Sequence, residues 1–276
     1  MKSGWRLQIG DWGDAAGESI VVIGQYLETL TWPEAERALL EAPLALLPIG
    51  ARCKEHGLHL PLNNDWLMAE FLTRRVLDQF PAVALPTVQY GYYPAFVEYP
   101  GSIHVQRDTF RETVCDICRS LARHGARKIY VLNTGISTNW ALEPARLVLA
   151  DENVTMDFTD LRALLEDVVK RVQQQSAGTH ADEIETSIML SIHPEVVRME
   201  RARRDIDDDR SRGGLTRNPH AETGVYSPTG VWGDPTLATR EKGRIVTAAL
   251  IERIVSFLER FAADDYKPAP PRKQYL

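Results

Sequence analysis

Short apolar runs alternate with amphipathic segments along most of this chain. Three of these runs, at residues 44–49, 82–89 and 128–132, have the length and the bounding residues of buried strands. Between them, apolar residues recur every three or four positions, which predicts helices over about residues 65–80 and 108–123. This alternation is typical of the α/β class, and we expect a three-layer α/β/α fold with a mostly parallel sheet.

The remaining predicted helices and strands continue the same alternation and belong to the same domain. Further predicted elements are a short helix from Trp32 to about Leu40, weaker strands at residues 147–150 and 154–158, a helix over about residues 160–175, and a closing helix to about Phe261. We therefore divide the chain into an N-terminal lead-in (1–27), a single domain (28–262) and a flexible C-terminal tail (263–276).

Composition narrows the class of protein. At 276 residues and 44% hydrophobic content, the chain can bury one full core. Its 32 basic and 38 acidic residues give a net charge of −6, which argues against a nucleic-acid surface. The sequence has no apolar stretch of about 18 residues, and its first 18 residues lack the apolar segment of a secretory signal. We therefore expect a cytoplasmic protein without a membrane or nucleic-acid partner.

Two motifs that bind metals in other proteins have a simpler interpretation here. Cys115 and Cys118 form a C-x-x-C, but both fall within a helical pattern, and no second C-x-x-C completes a tetrahedral zinc site. We interpret them as core residues, and Cys53 as a small filler. The acidic run at residues 205–209 lacks the distal glutamate of a calcium loop and is interpreted as a solvated loop.

The densest chemistry follows the first predicted strand. Residues 44–65 read LALLPIGARCKEHGLHLPLNND and hold four metal-capable side chains within eleven positions: Glu55, His56, His59 and Asp65. Asp65 stands directly before an amphipathic run, where a helix N-cap belongs. Parallel sheets place their ligands at the C-terminal ends of strands, and the loops that follow the three strands should meet along that edge. We therefore predict a site there.

The same block resembles the signature of the creatininase (creatinine amidohydrolase) family, whose members read close to P-[VI]-G-S-x-E-Q-H-G-P-H-L-P-L-x-T-D. His56 and Asp65 keep the nine-residue interval between the family's histidine and aspartate. Residues 178–190, GTHADEIETSIML, are similar to the family's H-A-G-x-x-E-T-S-L-M-L block. Family-like segments at residues 99–104 and 230–243 extend the resemblance over about residues 28–262.

The resemblance implies a metal-dependent hydrolase that forms a homo-oligomer, often a hexamer. In this family a two-metal centre cleaves a C–N bond, since divalent ions activate water and polarise a carbonyl. It implies that His56 and Asp65 bind metal and that His180 donates a proton to the leaving group. Glu185 is expected to bind a metal or to orient a ligand. Zinc is the expected ion, with manganese or iron as alternatives, in one or two copies.

Two departures from the family pattern leave the ligand set open. The family's glutamate falls on Lys54 and its glutamine on Glu55, with one extra residue before His56, so Glu55 can take the ligand's place. Residues 133–139 fill the slot of the family's N-G-H-x-x-N loop without a histidine. Three hypotheses follow: one metal bound by His56, Asp65 and Glu55 or Glu185; two metals with the help of His59, His104 or His180; or a metal-free site in which the Lys54 ammonium replaces a cation.

Residues near these ligands predict the substrate side of the site. Candidates for substrate contact are His59, Asn64, Ser102, His104, Asn133, Thr138 and Trp232. An aromatic wall for a small, flat molecule is predicted from Tyr90, Tyr92, Tyr93, Trp140 and Trp232. His59 and Asn64 have a second interpretation, as residues that hold the signature loop in shape.

The predicted activity is hydrolysis of an amide bond in a small, cyclic substrate, with His56 and Asp65 holding the metal and His180 as the proton shuttle. A second hypothesis keeps the fold but opens the ring of a keto-sugar such as an oxidised inositol, with Lys54 stabilising an enolate. A third is a non-catalytic binding protein, because a fold does not fix a function.

Overall fold

A parallel sheet forms the centre of the computed structural model, which describes residues 23–206 and 214–276. Its strands are β1 (Gln25–Tyr26), β2 (Ala45–Ile49), β3 (Val83–Ala84), β4 (Lys128–Asn133) and β5 (Thr155–Phe158). They lie in the order β1-β3-β2-β4-β5 and pair in parallel throughout. Residues 1–22 of the predicted lead-in and 207–209 of the acidic run lie outside the described residues.

Helices cover both faces of this sheet. They are α1 (Trp32–Glu41), α2 (Asn64–Leu77), α3 (Arg107–Arg123), α4 (Asn139–Asp151), α5 (Leu161–Val172), α6 (Glu183–Ile192) and α7 (Arg240–Ala262). Buried side chains of α1, α3 and α4 pack with Leu47 on one face, and those of α2, α5, α6 and α7 pack with Leu46 on the other. The predicted three-layer α/β/α fold is therefore confirmed. Among the described helices, none has both the length and the apolar character needed to cross a membrane.

The strand order brings two loops together. β2 and β4 end level with each other, since Ile49 pairs with Asn133. The chain continues from β2 to β3 on one side and then crosses to β4 on the other, so the loops after β2 and β4 leave the sheet at a topological switch point. Open α/β sheets bind ligands at such points.

Two predicted strands differ from the structure. Residues 147–150 belong to α4, because Leu149 continues the buried face formed by Leu142 and Ala145. The run 82–89 is a strand only at β3 and resumes as a single bridge between Val88 and Ile49. Pro86 between them lacks the N–H that a continuous ladder requires.

The N-cap predicted at Asp65 is wrong, whereas the core positions predicted for Cys115 and Cys118 are confirmed. Asn63 is the N-cap of α2, so Asp65 lies in the first turn of that helix and not at the predicted cap position. Asp65 is thereby free to contact the loop after β2. Cys115 and Cys118 are free, buried thiols in α3 and belong to the core, as interpreted from the sequence.

The end of the C-terminal segment, predicted from the sequence as a flexible tail, makes side-chain contacts with the domain. Arg272 donates to Asp157 Oδ1 at 2.6 Å, and the buried Tyr275 donates to Asp160 Oδ2 at 2.7 Å. The Tyr275 ring also packs edge-on against Trp140. This segment therefore contacts β5 and the N-cap residue of α5.

Candidate active site

Three ionisable residues in the loop after β2 are buried. Lys54 and Glu55 are each 6% exposed, and His56 is fully buried. Lys54 Nζ lies 2.6 Å from Asp65 Oδ2, and His56 Nε2 lies 2.8 Å from Asp65 Oδ1. The first turn of α2 thus supplies one carboxylate that is shared between a lysine and a histidine.

Both histidines of the site are oriented by a partner on one ring nitrogen. His56 Nδ1–H donates to the Lys54 carbonyl at 2.9 Å, which leaves Nε2 3.4 Å from Glu185 Oε1. His180 Nε2–H donates to Glu55 Oε2 at 3.0 Å, which leaves Nδ1 3.9 Å from Glu185 Oε2. Metal-binding histidines have one nitrogen held by a carbonyl or carboxylate and the other turned to the ion, as His180 does here. His56 Nε2 also contacts Asp65 Oδ1, so an ion at His56 would take the place of the proton in that contact.

A potential cation site results from these orientations. The ligand atoms of His56, His180 and Glu185 all lie within 4.8 Å of one another. Asn64 Nδ2 donates to Glu185 Oε1 at 3.1 Å, and the Ala181 N–H donates to Oε2 at 2.7 Å, so this carboxylate is itself held in place. Two imidazoles and a carboxylate are a donor set suited to zinc or manganese. These residues therefore fit a divalent metal ion.

The ionisable groups of the site hold one another in their charged forms. Burial alone would lower the pKa of Lys54, but Asp65 and Glu185 outweigh it and raise that pKa. Burial also lowers the pKa of His56, and the Asp65 carboxylate reverses this and raises it to about 9. Burial raises the pKa of Asp65, yet the Lys54 ammonium holds it below its ordinary value. Lys54 and Asp65 are therefore a charged pair at neutral pH.

A cavity of about 1090 Å³ opens from this site. Lys54, His180 and Glu185 line it, together with residues of α5 and of the loop before α4. The Phe96 ring lies 4.1 Å from the His180 ring, centroid to centroid, and its centroid is 5.0 Å from Lys54 Nζ. Phe96 therefore forms an apolar cover over two polar groups of the site.

Some of the predicted substrate contacts line this cavity or a smaller one. Trp232 lines the large cavity and pairs its backbone with His180. Asn133 and Thr138 line a pocket of about 10 Å³ that they share with Lys54 and Asp65. Of the predicted aromatic wall, Tyr92, Trp140 and Trp232 border the large cavity, whereas Tyr90 and Tyr93 border the small one.

The other predicted substrate contacts act as braces and line neither of these cavities. Asn64 holds Glu185, as described above. Ser102 Oγ accepts from the Glu55 N–H at 3.0 Å. His104 Nδ1 accepts from the Tyr93 N–H at 3.1 Å. His59 Nε2 lies 2.8 Å from Thr186 Oγ1, which ties the signature loop to α6.

The two-metal hypothesis that uses His59 or His104 does not fit this geometry. Neither residue belongs to the cluster of ligand atoms found among the described residues. The loop after β4 adds no ligand either, because Asn133 Nδ2 donates to the Gly135 carbonyl and to Asn139 Oδ1 within its own segment. Asp65 and Glu55, which were predicted as ligands, also lie outside that cluster: Asp65 contacts Lys54 and His56, and Glu55 contacts His180.

Two residues of the site were missed in the sequence. Phe96 follows the aromatic loop without a distinguishing pattern. Gly230 lies within a family-like block, but its role depends on a distant contact: its φ is +73°, and a Cβ there would overlap the Glu55 carboxylate. Only the folded arrangement shows that this glycine makes room for Glu55.

Comparison with known proteins agrees with this fold. A family model described as creatinine amidohydrolase matches residues 28–258. The chain therefore belongs to the creatininase family, as its motifs indicate.

Characterised relatives have different activities. The chain is 31% identical over 252 residues to a creatinine amidohydrolase of Pseudomonas putida, covering 83% of this chain and 94% of the relative. It is 25% identical to a 3-dehydro-scyllo-inosose hydrolase of Thermotoga maritima, covering 89% and 88%. It is also 25% identical to a mycofactocin precursor peptide peptidase of Mycolicibacterium smegmatis, covering 80% and 87%. These relatives are hydrolases, but they act on unlike molecules.

Solved structures of similar fold include a manganese creatininase, with a TM-score of 0.75 at 23% identity over 86% of this chain and 99% of that one. A creatininase variant of the Zn-Zn type has a TM-score of 0.73 at 23% identity, covering 89% and 99%. At this level of identity the likeness establishes the fold.

Proposed function

We propose that this chain is a hydrolase of amide C–N bonds that holds one divalent metal ion at His56, His180 and Glu185. The observation that carries the proposal is the convergence of these three ligands at the mouth of a cavity. Two of the relatives, the creatinine amidohydrolase and the peptide peptidase, are named for cleavage at C–N bonds. The manganese and zinc forms among the structural neighbours support zinc or manganese as the ion.

When bound, the ion supplies an activated water molecule and polarises a carbonyl. The protein supplies the rest of the environment. Lys54 lines the cavity, and its ammonium, fixed by Asp65, is placed to stabilise negative charge on the carbonyl oxygen of the substrate. Phe96 excludes water from one side of Lys54 and His180, which strengthens their electrostatic effect.

The proposal changes the role expected for His180. The resemblance implies a proton donor, but Glu55 holds Nε2 of this ring and Nδ1 is turned toward Glu185. We therefore assign His180 to the metal and Glu55 to the orientation of His180. The two roles differ in one readout: His180→Gln should lose metal if the ring is a ligand, and should keep metal while losing activity if it only transfers a proton.

Lys54 supports a second candidate function. A buried ammonium that borders the cavity can also stabilise an enolate, which the opening of a cyclic keto-sugar would form. The inosose hydrolase among the relatives is named for a substrate of this kind. Assays of purified protein with cyclic amides, peptides and keto-inositols would separate the two candidates.

Elemental analysis of the purified, tag-free protein tests the metal site. We expect about one equivalent of zinc, manganese or iron per chain, lost in His56→Ala and in Glu185→Gln. His104→Asn is the matched control, because His104 lies outside the ligand cluster and should leave the metal content unchanged. A wild-type protein that stays metal-free after incubation with these ions would contradict the proposal and favour a metal-free or non-catalytic role.

A further inference from the structure

The cavity is much larger than a small ring needs. At about 30 Å³ for each water molecule in the liquid, its 1090 Å³ equals the space of about 36 waters. A cyclic molecule with about ten non-hydrogen atoms would leave most of this space empty. The cavity thus fits a longer substrate than the small, cyclic one expected from the sequence.

One wall of the cavity is an apolar stripe. Leu161, Leu165 and Val169 of α5 line it at four-residue intervals, which places them on one side of the helix. Ile136 and Trp140 line the same cavity from the loop and first turn of α4. Leu165 belongs to the core, but Leu161 and Val169 are only partly buried and offer apolar surface to aliphatic side chains.

The same wall carries an arginine that makes no ion pair within residues 23–206 and 214–276. Arg162 lines the cavity and donates to Thr179 Oγ1 at 3.4 Å, but it makes no ion pair with a carboxylate among the described residues. The other cation of this wall, Lys170, is paired with Glu166 at 2.6 Å. Thr179 directly precedes His180 in the chain, so the Arg162 guanidinium lies beside the segment that carries a proposed metal ligand.

We propose that the substrate is a short, peptide-like amide with aliphatic side chains and a free C-terminal carboxylate, which Arg162 binds. Its side chains lie on the stripe of α5, and its scissile amide reaches the site of His56, His180 and Glu185. The planar guanidinium pairs with a carboxylate through two parallel hydrogen bonds. This inference rests on the proposed amide hydrolysis, and it makes Arg162 a residue that determines specificity.

A matched pair of ligands tests the role of Arg162. The probes are N-acetyl-leucyl-leucine and its C-terminal amide, added to the metal-loaded full-length protein. Binding is followed in a stopped-flow instrument before turnover, through the fluorescence of Trp140 and Trp232, which line the cavity. The wild type should bind the acid about tenfold more tightly than the amide, the size of effect that one charge-assisted hydrogen bond produces.

Two variants of the same helix complete the test. Arg162→Gln should bind the acid and the amide with equal affinity, because only its affinity for the acid should fall. Arg171→Gln should keep the preference, because Arg171 is exposed and does not line the cavity. Equal binding of acid and amide by the wild type, or an unchanged preference in Arg162→Gln, would overturn the inference.

Binding of the probes tests the inferred substrate class, whereas their hydrolysis tests the proposed reaction. A preference for the acid that depends on Arg162, without hydrolysis, would support the substrate class and contradict the proposed reaction. Hydrolysis of both probes without a preference for the acid would support the proposed reaction and contradict the inferred role of Arg162. If a second copy of the chain occupies the cavity, the probes will not change the fluorescence and light scattering will show a concentration-dependent dimer, which also overturns the inference.

Discussion

Lys54 Nζ and Asp65 Oδ2 lie 2.6 Å apart, and both side chains are almost fully removed from solvent. Removing one partner of a buried ion pair leaves an uncompensated charge, so each group depends on the other for its ionised form. Its resemblance to the family signature also implies that Lys54 stands where that signature has a glutamate. The chain thus brings its own cation to the site, and we expect this to reduce the number of metal ions that it binds.

Lys54→Glu should raise the metal content from about one to about two equivalents per chain. The new carboxylate would lie beside Asp65, and two neighbouring carboxylates repel each other unless a cation lies between them. Elemental analysis after dialysis against zinc or manganese measures the change. Lys54→Gln introduces no carboxylate, and its metal content should remain at about one equivalent per chain. A content of one equivalent in both variants would show that Lys54 does not exclude a second ion.

Gly230→Ala should disturb the site through Glu55. A Cβ at this position overlaps the Glu55 carboxylate, and the φ of +73° is unfavourable for alanine. Because Glu55 orients His180, we expect weaker metal binding and about a tenfold or greater loss of activity. Gly91→Ala is the control, since a Cβ there meets no atom closer than 3.7 Å. Equal metal affinity in the two variants would argue against the role of Glu55.

Local patterns predicted much of the fold and the first half of the site. His56 and Asp65 stand nine residues apart after a buried strand, and the switch point of a parallel sheet places such a loop at a ligand site. The contacts that complete the site are not local. Glu55 and His180 are 125 residues apart, and Arg272 lies 115 residues from Asp157. No periodicity or capping rule pairs such residues, because their distance depends on how the helices pack.

The pH dependence of stability should report the buried state of His59. Burial lowers the pKa of this ring to about 4, while Glu185 opposes the shift and His56 and His180 reinforce it. In the unfolded chain the ordinary value is 6.5, so below that pH the unfolded state binds a proton that the folded state does not. The stability is thus complete above pH 6.5 and falls between pH 6.5 and about 4.

Urea unfolding at pH 7 and pH 5 measures this effect. Between pH 7 and pH 5, the free energy of unfolding should fall by about 2 kcal/mol more in the wild type than in His59→Gln. Each unit of pKa shift corresponds to about 1.4 kcal/mol. Comparing the two proteins cancels the contributions of the other titrating groups. An equal loss in both would mean that His59 titrates normally in the folded protein.

The anchored C-terminal segment should contribute to stability through Arg272. Arg272→Met removes the ion pair with Asp157, which is 1% exposed, and a longer one of 3.4 Å with the buried Glu143, which keeps Arg146 as a partner. We expect the free energy of unfolding to fall by about 2–3 kcal/mol, somewhat less than for a fully buried pair because the Arg272 side chain is 21% exposed. Arg253→Met is the matched control: its pair with Asp167 lies at the surface, where such pairs contribute little. Urea midpoints of the two variants give the comparison. If both variants unfold at the wild-type midpoint, the segment does not stabilise the fold through this contact.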